Sequence, residues 1–264
     1  MDLNLVGKRA IVTGGSRGIG KAVARALAEE GVAVVIGARD INALRQSAAE
    51  ISTTNVRVIP IALDTGLDDS VRDFTAEAVA MLGGVDVLVN SAARPSLVNP
   101  PMVIEVSENE FHLDFNVKVL GYLRMIREVA PLMAANGWGR IINVDGLGVR
   151  FTGSVLTSMR NAAVAALTKN ASDELGSSGI NVTGVSPGHV ETESTEDRLA
   201  GMAAHQGISS ADAASRIAAT YAIGRMVTAQ EVASLVTWLA SPLSAAVTGD
   251  VIACGGGMKG SIYY

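Results

Sequence analysis

Eight consecutive residues near the start of the chain have the composition of an anion cradle: Thr13-Gly14-Gly15-Ser16-Arg17-Gly18-Ile19-Gly20. Glycines let a backbone turn tightly and approach a pyrophosphate. A helix opening behind them offers free N–H groups and the positive end of its dipole. Such a motif carries weight only between a strand and a helix. Here an apolar run over 9–12 precedes it and a helical pattern over 21–30 follows, with Val23, Ala24, Leu27 and Ala28 on one face. The chemistry expected is dinucleotide binding. The next apolar run closes with Ile36-Gly37-Ala38-Arg39. An acidic residue there would bind the ribose hydroxyls of a dinucleotide without a 2′-phosphate. Arg39, together with Arg17 in the glycine loop, suits a dianionic 2′-phosphate instead. NADP(H) is therefore expected over NAD(H).

The elements that must position this loop alternate along the whole chain. Strands are expected over 9–12, 32–36, 56–61, 85–89, 140–144, 180–185 and 251–253. Helices are expected over 21–30, 41–51, 69–82, 111–135, 156–175 and 228–239. Strands that are apolar throughout and joined by helical crossovers imply a parallel sheet covered on both faces. The expectation is a single-domain α/β fold over 1–264, a doubly wound parallel sheet of the Rossmann type. The polar, Ala-rich stretch over 191–219 is expected to form a helical substrate flap beyond the sheet.

Composition narrows the function classes. The net charge is −5 with no basic block, which argues against nucleic-acid binding. Cys254 is the sole cysteine, so an internal disulfide and a thiolate metal cluster are both excluded. No apolar run approaches the ~20 residues of a membrane helix, and the opening residues do not read as a secretory leader. A cytoplasmic location without membrane contact is expected. His112, His189 and His205 are far apart and have no metal-ligand spacing, so no metal site is expected. No nucleophile elbow of the G-x-S-x-G type occurs, which weighs against a hydrolase.

These residues and several downstream resemble the short-chain dehydrogenase/reductase family over nearly the whole chain. Thr13–Gly20 is similar to the family's TGxxxGxG element, and Asp64 to its adenine-contacting aspartate. Asn90-Ser91-Ala92-Ala93 resembles the NNAG element after the fourth strand. Ser186-Pro187-Gly188-His189-Val190-Glu191-Thr192 resembles the PGxVxT element, in which Thr192 would hold the nicotinamide carboxamide. Thr248-Gly249 and Gly255-Gly256 resemble the family's C-terminal strand region. Asn116, in Asn116-Val117, matches the helix asparagine that supports an active-site water. The resemblance implies an NADP(H)-dependent oxidoreductase acting on a small molecule.

The same resemblance implies a serine after the fifth strand and a Tyr-x-x-x-Lys on the next helix. In that arrangement tyrosine moves the proton, and lysine lowers its pKa and binds the nicotinamide ribose. The positions after the fifth strand are Asp145 and Gly146, and no tyrosine lies between Tyr122 and Tyr221. The alanine-rich run before Lys169 places Thr157 at the tyrosine position and Asn161 at the lysine position, on one helix face at i, i+4. Three readings stay open. The first is a reductase of activated carbonyl, quinone-like or conjugated acceptors, with Asp145, His189 or solvent giving the proton. The second is a nucleotide-binding sensor or partner subunit without turnover. The third is a non-redox enzyme that uses the dinucleotide structurally.

Arg94 and Arg150 follow the fourth and fifth strands and would clamp an anionic substrate. Arg160 is expected to point away from Thr157 and Asn161. His112 shares a helix face with Asn116 but reads as surface or packing. The helices over 111–135 and 156–175 carry many small and apolar residues, and by family analogy would build a homotetramer or homodimer. The C-terminal Ser261-Ile262-Tyr263-Tyr264 is apolar enough to dock on a neighbouring subunit.

Overall fold

The computed structural model describes residues 1–52, 56–95, 100–150, 152–260 and 262. The expected docking role of Ser261, Tyr263 and Tyr264 lies outside these residues. Seven parallel strands form the central sheet: β1 (Arg9–Thr13), β2 (Ala33–Ala38), β3 (Val58–Ala62), β4 (Val87–Asn90), β5 (Gly139–Val144), β6 (Ile180–Pro187) and β9 (Val251–Cys254). Their order is β3-β2-β1-β4-β5-β6-β9. The chain runs outward from β1 to β3, then restarts at β4 on β1's other side. That reversal leaves a crevice at the C-terminal ends of β1 and β4, where such sheets take ligands. The remaining strands, β7 (Val190–Glu191) and β8 (Val227–Thr228), pair as a two-residue ribbon above the sheet.

Helices α1 (Gly18–Glu29), α2 (Ile41–Ile51) and α9 (Ala229–Leu239) cover one face; α3 (Asp68–Leu82), α5 (Gly121–Ala135) and α6 (Val155–Leu175) cover the other. On the first face Val23 and Leu27 of α1 pack with Val232 and Val236 of α9, all fully buried. On the second, Phe74 of α3 packs with Met125 and Val129 of α5. Each large apolar side chain so buried contributes roughly 1.5–3 kcal/mol. Local signals set the ends: Asp40 caps α2 by accepting from Asn42 N and Ala43 N. Gly83 closes α3 at a φ of 75°, the left-handed region. Over the stretch expected to be a flap lie α7 (Thr195–Gln206) and α8 (Ser210–Ala219), with a small apolar cluster of their own around Ile217, Tyr221 and Met226.

One helix differs from expectation. The stretch 111–135 is not one continuous α-helix. It comprises the end of α4 (Glu108–Phe115), a π turn over Asn116–Leu120, and α5. A π turn leaves carbonyls out of the α ladder. Here Arg124 Nη1 donates to the Asn116 carbonyl at 3.2 Å, and Thr65 Oγ1 donates to the Val117 carbonyl at 2.9 Å. The extra residue rotates Lys118 inward, where it is 3% exposed.

Candidate active site

The glycine loop is anchored from below. Gly14 N donates to the Gly37 carbonyl at 2.7 Å, and Ser47 Oγ donates to the Gly15 carbonyl at 2.9 Å. Gly14 stands at a φ of 72°, and a Cβ on Gly20 would lie 2.3 Å from the Gly14 carbonyl oxygen. Both positions therefore require glycine. Above the loop runs an open cleft of about 960 Å³, lined among others by Ser16, Arg17, Gly18, Ile19, Arg39 and Asp64. Ala92 and Thr192 complete its inner wall, and Arg94 lies at the same edge.

A dinucleotide fits this cradle. The first-turn amide of α1 already takes an oxyanion, because Gly18 N donates to Glu193 Oε2 at 2.9 Å. Among the described residues neither Arg17 nor Arg39 is in an ion pair, so both remain available to a phosphate at the cleft edge. Two residues expected in contact with the ligand, Thr13 and Asn90, are buried and hydrogen-bonded within the protein. Thr13 is fully buried, and its Oγ1 accepts from Ser91 N and Ala92 N at 3.0 and 3.1 Å, fixing the turn after β4. Asn90 is also buried, with Nδ2 donating to Asn143 Oδ1 at 2.9 Å. Asn143 passes the chain on to Thr168 Oγ1 at 3.0 Å.

The cleft continues, past Ile19 and Thr192, into a second pocket of about 410 Å³. Asp145, Thr157, Asn161, Pro187, Gly188 and His189 line it, with Val190 alongside. The structure thus gathers Thr157 and Asn161 of α6, Asp145 after β5 and the segment after β6 in one place. Ser154 caps α6 by accepting from Thr157 N at 3.3 Å, and its hydroxyl reaches Thr157 Oγ1 at 3.1 Å. Asn161 Nδ2 donates to the Gly146 carbonyl at 3.2 Å.

Asp145 is 8% exposed. Its Oδ1 accepts from Gly146 N at 2.6 Å and from Ser186 Oγ, while Oδ2 is buried without a partner. A carboxylate with an oxygen so placed is costly, and protonation relieves it. Burial accordingly pushes the Asp145 carboxyl up to about 6, against the opposing pull of Ser186 and Lys118. His189 donates its backbone N–H to Tyr221 Oη at 2.8 Å. Burial, assisted by Arg198, pushes its imidazole down to about 4, so His189 is neutral at pH 7 and offers one donor and one acceptor.

Asn116 does not join this group. Its Nδ2 donates to the Gly66 carbonyl at 3.0 Å, beside Asp64. The residue that reaches the pocket wall from that helix is Lys118. Its Nζ donates to Asn161 Oδ1 at 3.0 Å and to the Asp145 carbonyl at 2.9 Å. The sequence did hold a signal. Lys118 lies on the apolar stripe with Tyr122, Met125, Val129 and Met133, and a charged residue in a buried stripe is the informative kind of exception. Arg160, expected to point away from Thr157 and Asn161, lines the same pocket as they do, and its Nη1 pairs with Asp114 Oδ1 of α4 at 2.6 Å. Arg150 donates to the Val251 carbonyl at 3.1 Å.

The family model for enoyl-(acyl carrier protein) reductases matches residues 14–259. A short-chain reductase protein, NovJ of Streptomyces niveus, is 32% identical over 94% of this chain and 92% of its own length. A sorbitol dehydrogenase of Cereibacter sphaeroides is 33% identical over 91% of this chain and 93% of its own. Among solved structures, the L-sorbose reductase of Gluconobacter frateurii with NADPH and L-sorbose superposes with a TM-score of 0.93 at 25% identity, covering 99% of this chain and all of the other. An actinorhodin polyketide ketoreductase variant with NADPH gives 0.90 at 31% identity, covering 96% and 98%. Fold, cradle and relatives define a class, and the chain belongs to the short-chain dehydrogenase/reductase family.

Proposed function

We propose that this chain is an NADP(H)-dependent oxidoreductase of the short-chain type that reduces an activated carbonyl, quinone-like or conjugated small molecule without a tyrosine–lysine pair. The carrying observation is the Asp145 carboxyl, buried in the pocket wall with one oxygen unpartnered. When bound, NADPH supplies hydride. The glycine loop and the α1 N-terminus hold its pyrophosphate. Arg17 and Arg39 hold the 2′-phosphate, Asp64 faces the adenine, and Thr192 the carboxamide. Asp145 keeps a carboxyl proton for the product oxygen; Thr157 and Asn161 orient the acceptor. Neutral His189 shapes the far wall, and α7 with α8 closes over the substrate. Arg94 at the cleft edge favours anionic acceptors.

Several relatives reduce or oxidise carbonyl and hydroxyl groups, which supports the reaction class. The protein acts as a homotetramer or homodimer through α4, the π turn, α5 and α6, where Leu113, Leu120, Leu123 and Met159 are 43–46% exposed in the single chain. The test is an NADPH-oxidation screen at 340 nm with quinones, conjugated ketones, imines and ketoses, with product analysis. Turnover of an activated acceptor with poor turnover of simple ketones is expected. NADPH binding without any turnover would replace this reading with that of a silent binder. Product formed without net NADPH oxidation would point to non-redox chemistry.

A further inference from the structure

The buried group that the proposed reaction leaves without a role is Lys118. An ammonium at 3% exposure is a costly group to keep inside a protein. It sits at the π turn, and its ammonium donates to two residues that line the pocket, Asp145 and Asn161. The resemblance places a lysine where Asn161 stands. Here the amide occupies that helix position, and the cation comes from the facing helix to meet it at 3.0 Å.

The geometry points to Lys118 as a positioning residue of this site: its ammonium fixes the Asn161 amide and the Asp145 turn against the pocket and supplies the positive charge behind the Asp145 carboxyl. This rests on the reading of Asp145 as the proton donor.

The charges around the ammonium come from every element packed on it. Asp145 follows β5, Asp114 lies on α4, Arg160 on α6, and the Tyr122 ring of α5 has its centroid 6.0 Å away. Arg150 adds a positive charge near Asp145. Arg160 and Asp114 pair with one another at 2.6 Å. That leaves Lys118 and Asp145 as the cation and acid that answer to each other. Burial lowers Lys118 and raises Asp145. A charged Lys118 opposes the second shift, so its removal sends the Asp145 midpoint higher. The amide–ammonium contact is symmetric in principle: exchanging the two side chains keeps one cation and one amide in touch.

The experiment follows the Asp145 carboxyl carbon by ¹³C NMR against pH in the full chain, with Asp145→Asn assigning the signal. Lys118→Met is expected to raise the Asp145 midpoint by about one pH unit, and Lys118→Arg to leave it near the native value. A folded Lys118→Met protein with an unmoved midpoint would overturn the proposal, because a merely structural lysine would not change the titration. Should Lys118→Met fail to fold, the double variant Lys118→Asn with Asn161→Lys carries the test. It is expected to fold and titrate like the native protein. A double variant that is unfolded, or whose Asp145 midpoint has risen, overturns the proposal. NADPH titration of the same samples by fluorescence separates the two readings. Absent NADPH binding with the NMR shifts as expected defeats the proposed function and leaves the role of Lys118 standing.

Discussion

At the scale of single residues, charge decides both ends of the cleft. Arg17 and Arg39 flank it without a carboxylate partner among the described residues. NADPH should therefore bind at least about tenfold tighter than NADH, a difference of ~1.4 kcal/mol or more. Arg39→Ala should abolish the preference, as read by equilibrium titration of both nucleotides; equal affinities in the native protein would refute this reading. The loop glycines and both arginines were legible because their types and spacing are local, whereas Asp145, Thr157 and Asn161, which line one pocket, were found through the family resemblance. Lys118 was not read as a site residue, although its place on the apolar stripe with Tyr122 and Met125 was a signal. The resemblance pointed instead to Asn116, two positions away, whose amide serves the Gly66 carbonyl.

At the scale of elements, the segment between β7 and α7 touches the cradle it faces. Glu193 accepts from the α1 amide that a pyrophosphate oxygen needs. Glu193→Gln removes a competing negative charge at that helix terminus. It should tighten NADPH about three- to tenfold at low salt, with the gain shrinking as salt rises; weaker binding would mean that Glu193 supports the closed flap instead. Helical periodicity located every major helix of the sheet layers. It read 111–135 as unbroken because the apolar stripe continues on both sides of the π turn, from Phe111 and Phe115 to Tyr122 and Met125. The β7–β8 ribbon escaped notice because two residues a side carry no period. Strand β6 runs to Pro187, two residues past the expected end, since pairing with β9 continues through Ser186 and Pro187.

At the scale of the whole molecule, the sheet is tied at its start by a bidentate pair. Arg9 Nε and Nη2 each donate to Asp86 at 2.8 Å, and Asp86 also accepts from Arg9 N at 2.9 Å. Burial pushes the Asp86 carboxyl up, but the Arg9 hydrogen bonds outweigh it and the net position is below the ordinary carboxylate range. A depressed carboxyl stabilises the fold above its unfolded value of ~3.9 and loses that contribution as pH falls through the lower folded value. Asp86→Asn should cost about 2 kcal/mol at pH 7, with a shallower acid limb in denaturant titrations from pH 5 to 2. An unchanged limb would remove Asp86 from the account. No helix among the described residues is long and apolar enough to cross a membrane. The proposed assembly with copies of the chain rests on the exposed leucines of α4, the π turn and α5. Sedimentation should give about four times, or twice, the chain mass of 27.2 kDa. Leu123→Lys should shift the distribution toward monomer; a native monomer would contradict the assembly.

The central claim is that Asp145 gives up the proton in an NADPH-dependent reduction, and the pH dependence of kcat tests it most directly. With the fastest acceptor of the quinone and conjugated-ketone screen, the native protein should lose turnover as pH rises through about 6, where the carboxyl gives up its proton. Asp145→Asn should bind NADPH as before, turn over at least about tenfold more slowly at pH 5.5, and show no such limb. An Asp145→Asn protein with native turnover and a native pH profile would contradict the account.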